Sequence, residues 1–290
     1  MKPQKGIQPV IILGMHRSGT TMITEMLEQL GLFVGDQKDD NCESLFFYKI
    51  NKWAFRIGIS KIDMPDNMKL MSPSCKNEII TSFDYFLGSW RRWVYLGKKY
   101  FFKYNSIKDI DFAWGWKEPL NTFTIDLWKE IFPEAKIIHI YRNPLDSAAS
   151  FIKRDAVKRN AFKLSWKKRV KRFFLISNKY HQNFRLTDFQ PGYEVWQSYI
   201  TKAFDLEKEF KGRIIAIKYE DFLDNPMPYL EKLVSFCAIN PNENELKQVA
   251  NQIKVARKYA FLNNSESVEF YNKIKNDPIM VKLGYENIIP

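Results

Sequence analysis

The chain has 290 residues, 45% of them hydrophobic and 27% charged, with 12 glycines and 13 prolines. That composition belongs to a globular protein and excludes collagen-like, low-complexity and disordered classes. Lys and Arg number 45 against 33 Asp and Glu, a net charge of +12, which points to an anionic partner such as nucleotide phosphate, acidic glycan, nucleic acid or a lipid surface. No stretch approaches the ~20 apolar residues of a membrane span. The apolar run at Pro9–Leu13 is too short for a signal peptide. Three cysteines (Cys42, Cys75, Cys237) lack CxxC or Cys/His spacing, so neither a disulfide framework nor a zinc site is expected, and a reducing cytoplasm is.

Val10-Ile11-Ile12-Leu13 reads as a buried parallel strand. It runs into Gly14-Met15-His16-Arg17-Ser18-Gly19-Thr20-Thr21 and then a helix whose apolar face is Met22, Ile23, Met26, Leu27 and Leu30, ended by Gly31. Strand, glycine loop and helix N-terminus together make an anion nest. Gly14, Gly19 and Thr21 keep the Walker A spacing, but Thr20 stands where that pattern has lysine. Positive charge enters through Arg17 instead. Such a loop suits a small 5′ anion better than a triphosphate with magnesium.

The stretch Asp39–Phe47 supplies carboxylates, and residues 45–112, rich in Phe, Trp and Tyr, are expected to form helices roofing a cleft. Pro119 keeps Glu118 extended, which puts Lys117 at a strand end or in a loop. A helix over Asn121–Phe132 precedes a strand at Lys136–Tyr141, with His139 as a core histidine. Beyond that strand come Arg142-Asn143-Pro144 and a small-residue helix start containing Ser150. One residue at a strand end and one in the next helix can converge on one anion. Residues 153–185 are densely basic, with Phe162, Trp166, Val170, Phe173 and Phe174 at helical spacing. This amphipathic stretch reads either as a solvated basic face over a core stripe, or as a lid that recruits an acidic or lipid-linked acceptor. The segment Arg213–Phe222 reads as a last strand that leads into Tyr219 and an acidic pair, Glu220 and Asp221 as loop and helix-start acids, before a helix opened by Asp224-Asn225-Pro226. His181 carries no signal. With no repeats, and motifs near residues 14, 142 and 219, a single domain over 1–290 is expected.

These motifs resemble those of sulfotransferases that use 3′-phosphoadenosine 5′-phosphosulfate (PAPS). Gly14–Thr21 is similar to their 5′-phosphosulfate loop, and its Arg-Ser-Gly-Thr-Thr core is shared with tyrosylprotein and many bacterial sulfotransferases. Arg142 and Ser150 have the separation of the 3′-phosphate motif, and Arg154 falls where tyrosylprotein enzymes carry another arginine. Tyr219-Glu220-Asp221 resembles a family tripeptide whose tyrosine lies near the adenine. Trp116-Lys117-Glu118-Pro119 is similar to a Lys-Asp-Pro segment whose lysine stabilises the sulfuryl group in transfer.

The resemblance implies a P-loop-like three-layer α/β fold, a central parallel sheet flanked by helices. It implies PAPS as cosubstrate, with no metal. Gly14, His16, Arg17, Ser18, Gly19, Thr20, Thr21, Arg142, Ser150, Arg154 and Tyr219 would bind it. Arg17, Lys117 and Glu43 would carry the chemistry, Glu43 as general base with Asp40, Glu118 and His16 as rivals. The acceptor is expected to be a hydroxyl on an acidic or lipid-linked glycan, or second a peptide tyrosine, handled in the cytoplasm or at a membrane surface. A P-loop kinase and an anionic-polymer binder built on 153–185 are the rival readings; nucleic acid is not favoured.

Overall fold

The computed structural model describes residues 6–150, 188–253 and 257–288, with five isolated positions between 152 and 174. Arg154 and nearly all of the basic stretch 153–185 lie outside the described residues. Four strands, β1 (Val10–Leu13), β2 (Gly115–Lys117), β3 (Lys136–Tyr141) and β4 (Ile214–Lys218), pair in the order β2-β1-β3-β4. Every pairing is parallel, with Ile11 opposite both Trp116 and Ile137.

Burial on both faces explains the continuous apolar strands. Val10 and Ile12 point into a core with Ile23, Leu27, Ile138, Ile140, Ile217 and Leu230. Ile11 and Leu13 point the other way, to Phe47, Trp116, Trp128, Ile137 and Trp196. Helix α1 (Thr20–Gln29) covers the first face. The second is covered by α2 (Leu45–Ile57), α3 (Pro73–Gly88), α4 (Trp93–Phe101), α5 (Asn121–Ile131) and α6 (Phe189–Glu209). The result is the helix–sheet–helix layering expected of a P-loop-like α/β fold. Trp116 stacks on Phe47 with centroids 3.8 Å apart, and Trp128 meets both rings edge-on at 5.2 Å. Each such pair adds about 0.5–1.5 kcal/mol beyond its buried area.

The expected helices over 45–112 are present as α2, α3 and α4. His139 is buried in β3, and its burial pushes the imidazole pKa down to about 4, as suits a neutral core residue. One boundary differs from expectation. The chain after β4 forms two helices, α7 (Tyr219–Asp224) and α8 (Pro226–Cys237), where one was expected. Pro226 has no amide proton, and it holds Asn225 extended at φ −145, ψ 76. Glu220 and Asp221 are therefore helix-start acids. Glu220, however, is fully buried, accepting the Asn143 amide at 2.9 Å and the Tyr285 hydroxyl at 2.8 Å. It clamps the end of β3 to the end of β4.

Among the described residues, no helix is long and apolar enough to cross a membrane. All four strands end at one edge of the sheet, and there the chain delivers Gly14, Lys117, Arg142 and Tyr219. In an open parallel sheet that edge is where ligands bind.

Candidate active site

The turn from β1 to α1 is built on left-handed backbone. Gly14 (φ 144), Arg17 (φ 73) and Gly19 (φ 99) all have positive φ, and Gly19 caps α1. For Arg17 this conformation costs on the order of 1–3 kcal/mol, strain of the kind that collects at functional loops. Two close approaches explain the glycines. A Cβ on Gly14 would lie 2.2 Å from the Ile140 carbonyl, and one on Gly19 would lie 2.3 Å from the Tyr219 ring. Gly19→Ala is therefore expected to lower stability by about 1–3 kcal/mol, as read from urea unfolding, because φ and the ring both oppose the methyl.

A cleft of about 980 Å³ opens at this edge, and His16, Arg17, Gly19, Thr20, Thr21, Glu43, Lys117, Arg142 and Tyr219 line it. Gly14, Ser18 and Ser150 are not part of its lining. The Ser150 hydroxyl accepts from Arg17 Nε at 2.7 Å, so the helix after β3 is tied to the glycine loop through these two candidates. Arg142 takes different partners. Its Nη2 donates to Asp146 Oδ2 at 2.9 Å and to the Arg257 carbonyl, and its guanidinium lies 4.7 Å from the Tyr219 ring centroid. Asp146 accepts the Phe261 amide through its other oxygen at 2.8 Å. Burial raises the Asp146 carboxyl above its ordinary range, with Arg142 opposing the rise. The Arg142–Tyr219 stack thus has a rigid base.

Lys117 ends β2 and is only 2% exposed, so it is no solvated surface lysine. Its ammonium lies 3.1 Å from Glu43 Oε1, 2.9 Å from the Asn41 carbonyl and 3.5 Å from Thr21 Oγ1. A buried ion pair of this kind survives desolvation because additional hydrogen bonds satisfy it. His16 Nδ1 stands 3.9 Å from the same Glu43 oxygen. Glu43 is itself delivered by a turn in which Asp39 Oδ1 accepts the amides of Asn41 and Glu43, at 2.9 and 2.8 Å. Of the rival bases, His16 and Asp40 line the cleft, whereas Glu118 is fully buried and does not. Burial, and then the neighbouring Glu43 charge, raise the Glu118 carboxyl well above its ordinary range.

Several supporting residues carry no local sequence signal. Asn51 of α2 donates to Glu118 Oε2 and to Asn121 Oδ1, both at 2.8 Å, and accepts from Trp128 Nε1 at 2.8 Å. Asn121 receives Trp116 Nε1 at 3.0 Å and donates to the Ile12 carbonyl at 3.2 Å. This buried network fixes the backbone on either side of Lys117 relative to β1. Arg257 also lines the cleft, from a segment with neither a glycine turn nor a strand to flag it. Among the described residues, no group of three or more His, Cys, Asp or Glu is placed to hold a metal ion.

The arrangement is an anion-binding cleft. Arg17, Lys117, Arg142 and Arg257 bring positive charge, α1 presents its N-terminus, and Glu43 holds a carboxylate beside Lys117. The profile of the sulfotransferase family matches residues 9–243. No curated protein matches the sequence. Among solved structures the chain is similar to the sulfotransferase domain of the Synechococcus PCC 7002 olefin synthase, at 14% identity and TM-score 0.51, over 96% of this chain and 98% of that one. It is also similar to a sulfotransferase from Alicyclobacillus acidocaldarius, at 14% identity and TM-score 0.49, over 98% of each chain. At such identity the first likeness is one of fold.

Proposed function

Because the chain belongs to the sulfotransferase family, we propose that its cleft moves a sulfuryl group from PAPS to a hydroxyl of a glycan or glycolipid precursor. The observation that carries this reading is the convergence of Arg17, Lys117, Arg142 and Arg257 on one cleft beside the buried Glu43. The residues suit an anionic nucleotide in two further ways. Arg142 Nε, in the cleft lining, is buried without a hydrogen-bond partner, a donor that a phosphate or sulfate oxygen satisfies. Gly19 leaves room only for a bare backbone against the Tyr219 ring, which keeps the loop close to the tyrosine that the adenine is expected to meet.

In this reading the 14–21 loop and Arg17 hold the 5′ end, Arg142 the 3′-phosphate and Tyr219 the adenine. Ser150 acts through its bond to Arg17, and Arg154 remains a candidate for the 3′ end. PAPS supplies an activated sulfuryl group that carries less charge than a phosphoryl group, so no metal is expected. Glu43 takes the proton of the acceptor hydroxyl as its oxygen attacks sulfur in line. Protonation removes the Glu43 charge from Lys117. The lysine ammonium then acts with full strength on the oxygen that leaves with the nucleotide, a preorganised donor in a dry site. We also expect a cytoplasmic enzyme, peripheral to a membrane where the acceptor is lipid-linked; Cys42, Cys75 and Cys237 are free thiols.

Thermal shift with adenosine 3′,5′-bisphosphate, against ATP, tests the donor. ATP is the relevant control because Lys117 reaches Thr21 Oγ1 at 3.5 Å, as a kinase lysine would reach its loop. The bisphosphate is expected to raise the melting temperature more than ATP; the reverse order contradicts the reading. Transfer of labelled sulfate to glycan and tyrosine-peptide acceptors, side by side, then decides between the two acceptor classes.

A further inference from the structure

Beyond the Lys117–Glu43 pair the cleft continues along α2, and there its lining changes. Tyr48, Lys52 and Arg56 recur every four residues, so they stand on one face of the helix. All three line the cleft, with Phe55, Lys61 and Ile62 beside them. Lys52 Nζ donates to the Tyr48 hydroxyl at 2.9 Å, with its ammonium 5.1 Å from that ring's centroid. Neither Lys52 nor Arg56 forms an ion pair with a carboxylate among the described residues. Every carboxylate lining the cleft, namely Glu25, Asp39, Asp40 and Glu43, comes before α2, and no lining residue from Leu45 to Ile62 is acidic. The donor nucleotide does not account for these cations, since its reading uses the glycine loop, Arg142 and Tyr219.

We propose that this end of the cleft is a subsite for an anionic group, a carboxylate or a phosphate, carried by the acceptor itself. The inference rests on the preceding reading for which end of the cleft holds the reacting hydroxyl. Leu45 begins α2 next to Glu43, and a helix rises 1.5 Å per residue, so Lys52 and Arg56 lie roughly 10 and 16 Å further along the axis. An acceptor that spans both points is the size of a disaccharide, with the anion at one end and the attacked hydroxyl at the other. Tyr48, half-buried in the cleft wall, borders the body between them. Lys52 and Arg56 fix its register through charge-assisted hydrogen bonds.

Titration calorimetry on protein saturated with adenosine 3′,5′-bisphosphate tests this with two matched pairs. One pair is unsulfated chondroitin disaccharide and the same disaccharide with its carboxylate reduced to the alcohol. The other is lactose 1-phosphate and lactose. The anionic member of at least one pair is expected to bind about tenfold tighter or more, and the pair that shows the preference identifies the anion. In K52Q/R56Q the preference is expected to vanish while the neutral member and the bisphosphate bind as before. No preference in either pair, or one that survives K52Q/R56Q, overturns the subsite. Failure of the bisphosphate to bind in the first titration overturns the donor reading instead, and the paired comparison is then read on the nucleotide-free protein.

Discussion

Glu43→Gln slows sulfate transfer by about 10²–10⁴-fold while leaving affinity for adenosine 3′,5′-bisphosphate near its wild-type value. The substitution keeps the side chain's size and an oxygen for the Lys117 ammonium, now 3.1 Å from Glu43 Oε1. The turn that delivers residue 43 does not depend on its side chain, because Asp39 holds the backbone amides of Asn41 and Glu43. What is lost is the ability to take a proton, and with it the coupling that frees Lys117 for the leaving oxygen. Single-turnover transfer of labelled sulfate, with calorimetry of the bisphosphate as its companion, separates chemistry from binding. Near-normal turnover would move the base to His16 or Asp40, which also line the cleft. Glu118 would stay excluded by its burial.

Arg142→Ala weakens bisphosphate binding by about 10- to 150-fold, the 1.5–3 kcal/mol of a hydrogen bond to a charged group. The residue also has a structural part, through Asp146, the Arg257 carbonyl and the Tyr219 ring. Removing the guanidinium takes away both the charge and the hydrogen bond with which Arg142 opposes the burial-driven rise of the Asp146 carboxyl, leaving the backbone of Phe261 and Tyr259 to oppose it. Asp146 keeps the Phe261 amide, so the fold is expected to survive with a lowered melting temperature. Arg142→Lys serves as the second variant. It retains charge but not the planar fork, and is expected to recover stability more fully than affinity. Calorimetry that shows unchanged affinity in both variants removes Arg142 from the nucleotide site.

The sheet and its edge were legible in the sequence because they are encoded locally. Val10–Leu13 and Lys136–Tyr141 are apolar runs that only a doubly covered parallel strand accommodates, and each is followed at once by its functional residues. The same holds for Gly19, whose spacing from Gly14 announces a loop, although its close approach to Tyr219, 200 residues away, needs the end of β4. Contacts between distant segments were not legible. Lys117 and Glu43 are 74 residues apart and Arg17 and Ser150 are 133 apart. Nothing in either neighbourhood says that a lysine next to Trp116 becomes buried, or that Ser150 turns to Arg17 while Arg142 turns to Asp146. Asn51 illustrates the limit best. It is an asparagine in an aromatic helix, and only the folded chain shows that it bonds Glu118, Asn121 and Trp128. Nearly all of the basic stretch 153–185 lies outside the described residues, and the apolar residues described within it, Trp166, Val170, Phe173 and Phe174, are exposed and form no core stripe.

The most direct test of the account is a crystal structure of the protein soaked with adenosine 3′,5′-bisphosphate. It is expected to show the 5′-phosphate on the Gly14–Thr21 loop within reach of Lys117, the 3′-phosphate at Arg142 and the adenine against Tyr219. Nucleotide density at any other place on the molecule, or a soaked crystal with none, would contradict it.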